Sequence, residues 1–141
     1  MTIPETLLEI HQFVEEGYQP LIDYGEWRVA FLRYIDELLP ENISKMQRHD
    51  ETDEVFVLLE GRCILYIGEG DEQITQIHAL DMESLKLYNI KQSCWHTHTL
   101  SEGSTVLIVE NRDTADHNSP EIDLNPEQMA KLVKLRNKFW Q

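Results

Sequence analysis

Cysteine, glycine, proline and positive charge are all scarce in this chain. Its 141 residues include two Cys, six Gly and five Pro, and 12 Lys and Arg stand against 26 Asp and Glu for a net charge of −14. Cys63 and Cys94 are too few for a disulfide scaffold, and their wide separation lacks the paired spacing of a structural zinc site, so both read as buried thiols. No basic cluster stands out in the sequence. Nucleic acid and anionic membrane draw their affinity largely from Lys and Arg neutralising phosphate, so neither is expected as a partner, which leaves a small ligand or a protein. The longest apolar runs fall far short of a membrane span, and the start, Met1-Thr2-Ile3-Pro4-Glu5, has neither a basic nor an apolar targeting region. The expected location is the cytoplasm. A G-x-S-x-G elbow, a P-loop and a Gly-rich dinucleotide fingerprint are all missing, which removes the commonest hydrolase, nucleotidyl and dehydrogenase signatures.

What is present is an ordinary globular composition, 41% hydrophobic and 27% charged, with enough apolar content for a real core and a length that suits one domain over residues 1–141. Leu7, Ile10 and Val14 recur at helical spacing before Gly17 and predict a short N-terminal helix over about 6–16. From Tyr18 the texture is β. Gln19–Tyr24 and Trp27–Tyr34 are followed by short strand-like segments at Ile43–His49, Glu54–Leu59, Arg62–Gly68, Gln73–Leu80, Ser84–Ile90, Trp95–Leu100 and Thr105–Glu110, separated by turn signals such as Glu60-Gly61 and Ser101-Glu102-Gly103. No helical segment lies between them, so an antiparallel sandwich or barrel with a core over about 18–124 is expected. Asn125-Pro126-Glu127-Gln128 is a helix start. Met129, Leu132, Leu135 and Phe139 then form an apolar stripe, giving a C-terminal helix over about 126–140.

The chemistry concentrates in Gln47 to Gly61. In a strand ending at His49, Gln47 and His49 project from one face, and Glu54 opens the next strand where it can point back into the same space. Imidazole and carboxylate are donors for Fe(II), Mn, Ni or Zn, and a second histidine would complete a two-His, one-carboxylate set with open positions. Trp95-His96-Thr97-His98 offers one, since alternation aims both imidazoles at one face, about 7 Å apart at roughly 3.3 Å per residue. The alternative for His49 and Glu54 is a hydrogen-bonded pair that orients the turn. For His98 a ligand contact in a pocket wall and a satisfied core histidine remain equal alternatives. Phe56 and Tyr66 are candidates for the same pocket, with core packing as the alternative. The run Asp50-Glu51-Thr52-Asp53-Glu54 reads as a solvated turn whose field raises the local cation concentration. His11, His78 and His117 read as surface residues.

These residues resemble the cupin superfamily, small β-barrels of jelly-roll type. The first cupin motif is G(X)5HXH(X)3-4E(X)6G, and here His49, four residues, Glu54, six residues and Gly61 match its second half in order and spacing. The second, G(X)5PXG(X)2H(X)3N, is met more loosely by Lys91-Gln92-Ser93-Cys94-Trp95-His96, with Lys91 and Ser93 in place of Pro and Gly and Leu100 in place of Asn. The resemblance spans roughly Trp27 to Glu110. It implies a mainly β, cupin-type jelly-roll barrel with short terminal helices, binding a divalent metal (Fe, Mn, Ni or Zn) through His49, Glu54 and His96. It also implies a small polar ligand beside Gln47, His98, Phe56 and Tyr66, and a homodimer. The family's first motif histidine is Gln47 here, so one of four ligands is replaced by a neutral amide or lost. Two functions follow from the resemblance: a metal-dependent isomerase, lyase or oxygenase on a sugar-like or carboxylic-acid substrate, or a non-catalytic binding or sensor protein that has lost metal.

Overall fold

The computed structural model describes residues 2–141. Two five-stranded antiparallel sheets face each other. The first runs β1 (Gly17–Tyr24), β2 (Trp27–Arg33), β9 (Thr105–Asn111), β4 (Glu54–Glu60) and β7 (Tyr88–Ile90). The second runs β10 (Glu121–Asp123), β3 (Lys45–Gln47), β8 (Trp95–Leu100), β5 (Cys63–Glu69) and β6 (Gln76–Asp81). A single helix, α1 (Pro126–Phe139), follows.

Side-chain alternation explains the layering. Phe56 and Leu58 on β4, Val106 and Ile108 on β9, and Cys63 and Leu65 on β5 point between the sheets and pack with Ala30, Leu32 and Leu100. Ile64 and Tyr66 on β5 and Trp95 on β8 point to the opposite face of the second sheet, where Met129, Leu132, Leu135 and Phe139 of α1 cover them. β5 is therefore apolar on both faces, which is why its sequence reads as a run rather than an alternation. The C-terminal stripe packs on its own barrel. α1 begins as its sequence predicts, with the Asn125 side chain accepting from the Gln128 N–H and Gln128 returning the bond to the Asn125 N–H. Gly61, in the tight β4–β5 turn, has φ +80°, and a Cβ there would sit 2.1 Å from Ser104 Oγ. Only glycine fits both conditions.

Two expectations are corrected, and one strand is added. Residues 6–16 form no helix: one turn closes from Pro4 O to the Leu7 N–H, and Leu7, Ile10 and Val14 lie in solvent. So short a helix is marginal without a surface to bury its apolar face, and here these side chains are buried against none. The segment Ser84–Ile90 yields only β7, because Leu85 takes φ +67° and breaks the ladder. β10 was not foreseen; three residues are too few to show an alternation. No helix of the described residues is long and apolar enough to cross a membrane.

Candidate metal centre and ligand cavity

Antiparallel pairing brings the candidate residues together. Gln47 on β3 lies directly across from His96 on β8, and β8 pairs with β5 so that His96 and His98 share the inward face with Leu65 and Ile67. Glu54 starts β4 on the opposing sheet, and His49 follows β3. The donor atoms of His49, Glu54 and His96 all lie within 4.8 Å of one another. His96 Nε2 is 3.0 Å from Glu54 Oε1, and His49 Nε2 is 3.4 Å from the same oxygen.

The outer hydrogen bonds decide what those nitrogens carry. His96 Nδ1 donates to the Cys94 carbonyl at 2.9 Å, so this nitrogen holds the proton of a neutral ring. On His49 the argument runs through Asn118. Its Oδ1 accepts from the Ala115 N–H, its Nδ2 donates to Glu51 and to the Asp113 carbonyl, and the Ser119 hydroxyl donates to Oδ1 at 3.2 Å. With its proton committed, Ser119 Oγ accepts from His49 Nδ1–H at 2.7 Å. In the neutral form, each ring would thus turn an Nε2 lone pair toward the same carboxylate oxygen. Three acceptors facing each other inside a protein require a cation, either protons on the rings or a metal ion.

The donor set fits a metal ion on geometry as well. Two ligands about 2.1 Å from one ion at 90–110° stand about 3.0–3.4 Å apart, the spacing found here. Without an ion the cluster is an ion pair: burial alone would raise the Glu54 carboxyl, but hydrogen bonds from His49 and His96 hold it down to about 2. Burial would lower His49, and the bond to Glu54 with its negative charge more than offsets that, so its pKa is raised.

Beside this centre lies a cavity of about 330 Å³. Leu32, Phe56 and Ile108 form an apolar wall, and Gln47 reaches it with its Nε2 donating to the Ser119 carbonyl at 3.2 Å. His98 lies against Phe56, ring centroids 5.5 Å apart, and its buried Nδ1 has no hydrogen-bond partner among the described residues. Burial, then the neighbouring His96, push its pKa down to about 4, so it is a neutral ring at physiological pH. Tyr66 lies outside the cavity: it is buried under α1, where its hydroxyl donates to the Leu132 carbonyl at 2.8 Å.

Sequence reasoning missed Glu110 and Tyr18. Glu110 is buried in the cavity wall on β9, and the Tyr18 hydroxyl donates to its Oε1 at 2.7 Å. Burial, reinforced by the charge of Glu54, raises the Glu110 carboxyl above the usual range. The signal was legible, since Val106, Ile108 and Glu110 share one parity and the third is the acidic member of an apolar face. The run Asp50–Asp53 is also more than a solvated turn. Asp53 accepts from Asn89 and from the Gln92 N–H, and Thr52 accepts from the Asn111 N–H, so it ties three loops at the cavity mouth.

No protein-family model and no curated protein matches the sequence. Solved structures do. Pac13, described as a nucleoside dehydratase, superposes with a TM-score of 0.53 at 8% identity over 85% of this chain and 96% of its own. A 3,4-ketoisomerase from Helicobacter canadensis gives 0.52 at 11% identity, covering 78% and 74%. A cupin-2 domain protein from Shewanella frigidimarina gives 0.49 at 16% identity, covering 77% and 88%. The fold is the cupin jelly roll. In cupin terms, Ser93 stands where the second motif has glycine, and its φ is +62°, the left-handed conformation that glycine adopts freely. Bonds from the Ser93 N–H to the His49 carbonyl and from its hydroxyl to Asp50 hold it there, clamping the His49 loop to the start of β8.

Proposed function

We propose that this cupin binds one divalent metal ion through His49, Glu54 and His96 and uses it on a small, neutral, hydroxyl-rich molecule held in the adjoining cavity, as an isomerase or lyase. The observation that carries this reading is the convergence of two Nε2 atoms on one buried carboxylate oxygen, each ring fixed by an outer bond at Nδ1. A bound ion would supply a Lewis acid with open positions for a substrate oxygen. The chain supplies the rest. Glu110, its carboxyl raised, holds or returns a proton at Oε2, its Oε1 accepting the Tyr18 hydroxyl. Neutral His98 offers its unpartnered Nδ1 to a ligand group, and Leu32, Phe56 and Ile108 keep water from the reacting atoms.

The cavity wall also supports a choice of substrate charge. It includes Glu54, Glu110 and Asp116 and neither Lys nor Arg, so beyond the metal ion itself no lysine or arginine stands ready to pair with a phosphate, which favours a neutral ligand. Pac13 has been solved with uridine, a neutral nucleoside, which makes uridine and its 5′-phosphate a suitable first pair of probes. The second reading is a binding protein without catalysis. It is favoured by Gln47, which stands in the position of the family's first histidine ligand.

Isothermal titration of Zn, Mn, Ni and Fe(II) into wild type, His49→Ala and Glu54→Ala tests the metal assignment. Stoichiometric binding lost in both variants is expected, and equal affinity in all three proteins would sink it. Tight metal binding without proton exchange or turnover on any polyol or nucleoside would leave the binding-protein reading in its place.

A further inference from the structure

Away from the cavity, the chain carries two surfaces that complement each other. One is a groove of about 890 Å³ between α1 and the segment leading into β6, the edge strand of the second sheet. Ile74, Ile77 and Leu135 contribute its apolar lining, and Lys131, Lys134 and Lys138 flank it. These lysines recur at three- and four-residue intervals along one face of α1. Among the described residues the lysines that form ion pairs are Lys45 and Lys86, so the three on the groove have no anionic partner. Glu127 is the acidic side chain of the groove. Counting Arg136, α1 carries four cations and one carboxylate, 4 − 1 = +3, in a chain whose total is −14.

The other surface is the segment preceding β1. Ile3, Leu7, Ile10 and Val14 are 53%, 77%, 87% and 67% exposed. Their spacing of four, three and four residues would place them on one face of a helix, yet the segment has no helix and no strand partner. It holds Glu5, Glu9, Glu15 and Glu16 and neither Lys nor Arg. Gathered on one helix face, these exposed apolar side chains would form the kind of patch that marks an interaction surface. Their occupant must offer an apolar trough of opposite charge, and the α1 groove is such a trough.

We propose that residues 2–16 of one copy fold as an amphipathic helix in the β6–α1 groove of a second copy, reciprocally, closing a two-fold dimer. Each chain donates an acidic, apolar-striped segment and accepts one in a lysine-flanked groove, so the contact is self-complementary and leaves no groove unfilled. Coupled folding explains why the helical pattern of residues 6–16 finds no helix in a single chain: the burial that would stabilise it comes from the partner. The exchange involves neither the metal centre nor the cavity, so it stands or falls independently of the proposed activity.

Light scattering and sedimentation of the full chain provide the test, with variants Leu7→Ser/Ile10→Ser/Val14→Ser on the segment and Lys131→Glu/Lys134→Glu/Lys138→Glu on the groove. Every substituted side chain is exposed, so folding should survive, and circular dichroism checks that it does. Wild type should be a dimer, and each triple variant should weaken it at least about tenfold, as loss of a central apolar or charged contact does. A peptide of residues 2–16 should compete with dimerisation and gain helicity on binding the segment variant, and the Lys→Glu groove variant should not bind it. A monomeric wild type would overturn the proposal, including one whose segment folds back on its own groove. So would a dimer indifferent to both sets of substitutions, which would have its interface elsewhere.

Discussion

Ser119→Ala is the substitution that most directly probes how the metal centre is built. Ser119 hydrogen-bonds to neither Glu54 nor His96; its role is to accept the Nδ1 proton of His49 at 2.7 Å while donating its own to Asn118. Removing the hydroxyl leaves His49 Nδ1–H without its acceptor in a half-buried site, a loss of about 1–3 kcal/mol for the ring orientation and tautomer that present Nε2 to the centre. Loss of such an outer partner typically costs about 10–100-fold in metal affinity, or about 1.4–2.8 kcal/mol, the same range reached independently. Calorimetric titration with zinc, alongside His49→Ala as the full loss and the exposed His78→Ala as a control, measures it. The expected order is wild type equal to His78→Ala, then Ser119→Ala, then His49→Ala. If Ser119→Ala binds as tightly as wild type while His49→Ala is impaired, the tautomer argument is wrong and His49 needs no orienting partner.

Other perturbations follow from the same geometry. Gln47→His places an imidazole across from His96 and should raise metal affinity by about 1–3 kcal/mol, tenfold per 1.4; an unchanged titration and an unchanged Tm in saturating metal would mean that position 47 does not reach the ion. The metal-free protein should lose stability in two pH windows. Below 4.5 it loses the contribution of Glu54, complete above 4.5 and gone as pH falls through about 2, after His98 has lost its own between 6.5 and about 4. Above 6.5 it loses that of His49, whose raised pKa gives a contribution complete below 6.5 and lost as pH rises through its folded value. Zinc should flatten the alkaline limb by replacing the His49 proton, and an alkaline limb that persists in His49→Ala would contradict the assignment. Tyr66→Phe removes a buried bond to the Leu132 carbonyl and should lower stability by about 1–3 kcal/mol in denaturant melts; any change in metal titration would be inconsistent with its position under α1.

What the sequence determined by itself was the material that local rules govern. Alternation of apolar and polar residues marked most strands, and Asn125-Pro126 with Gln128 marked the start of α1, because hydrogen bonds and φ/ψ preferences within a few residues decide both. The spacing of His49, Glu54 and Gly61 across one hairpin was legible for the same reason. Tertiary structure decided the rest. Glu110 becomes a cavity acid only because β9 lies between β2 and β4, with Tyr18 brought over its carboxyl from β1. Tyr66, two residues along β5 from Ile64 and of the same parity, was assigned to a pocket although its face of the sheet belongs to α1. Ser119 and Asn118, distant in sequence from His49, set which of its nitrogens carries the proton. The helix read from Leu7, Ile10 and Val14 is absent because periodicity records which face a segment could bury, and only a surface brought from elsewhere in space can bury it.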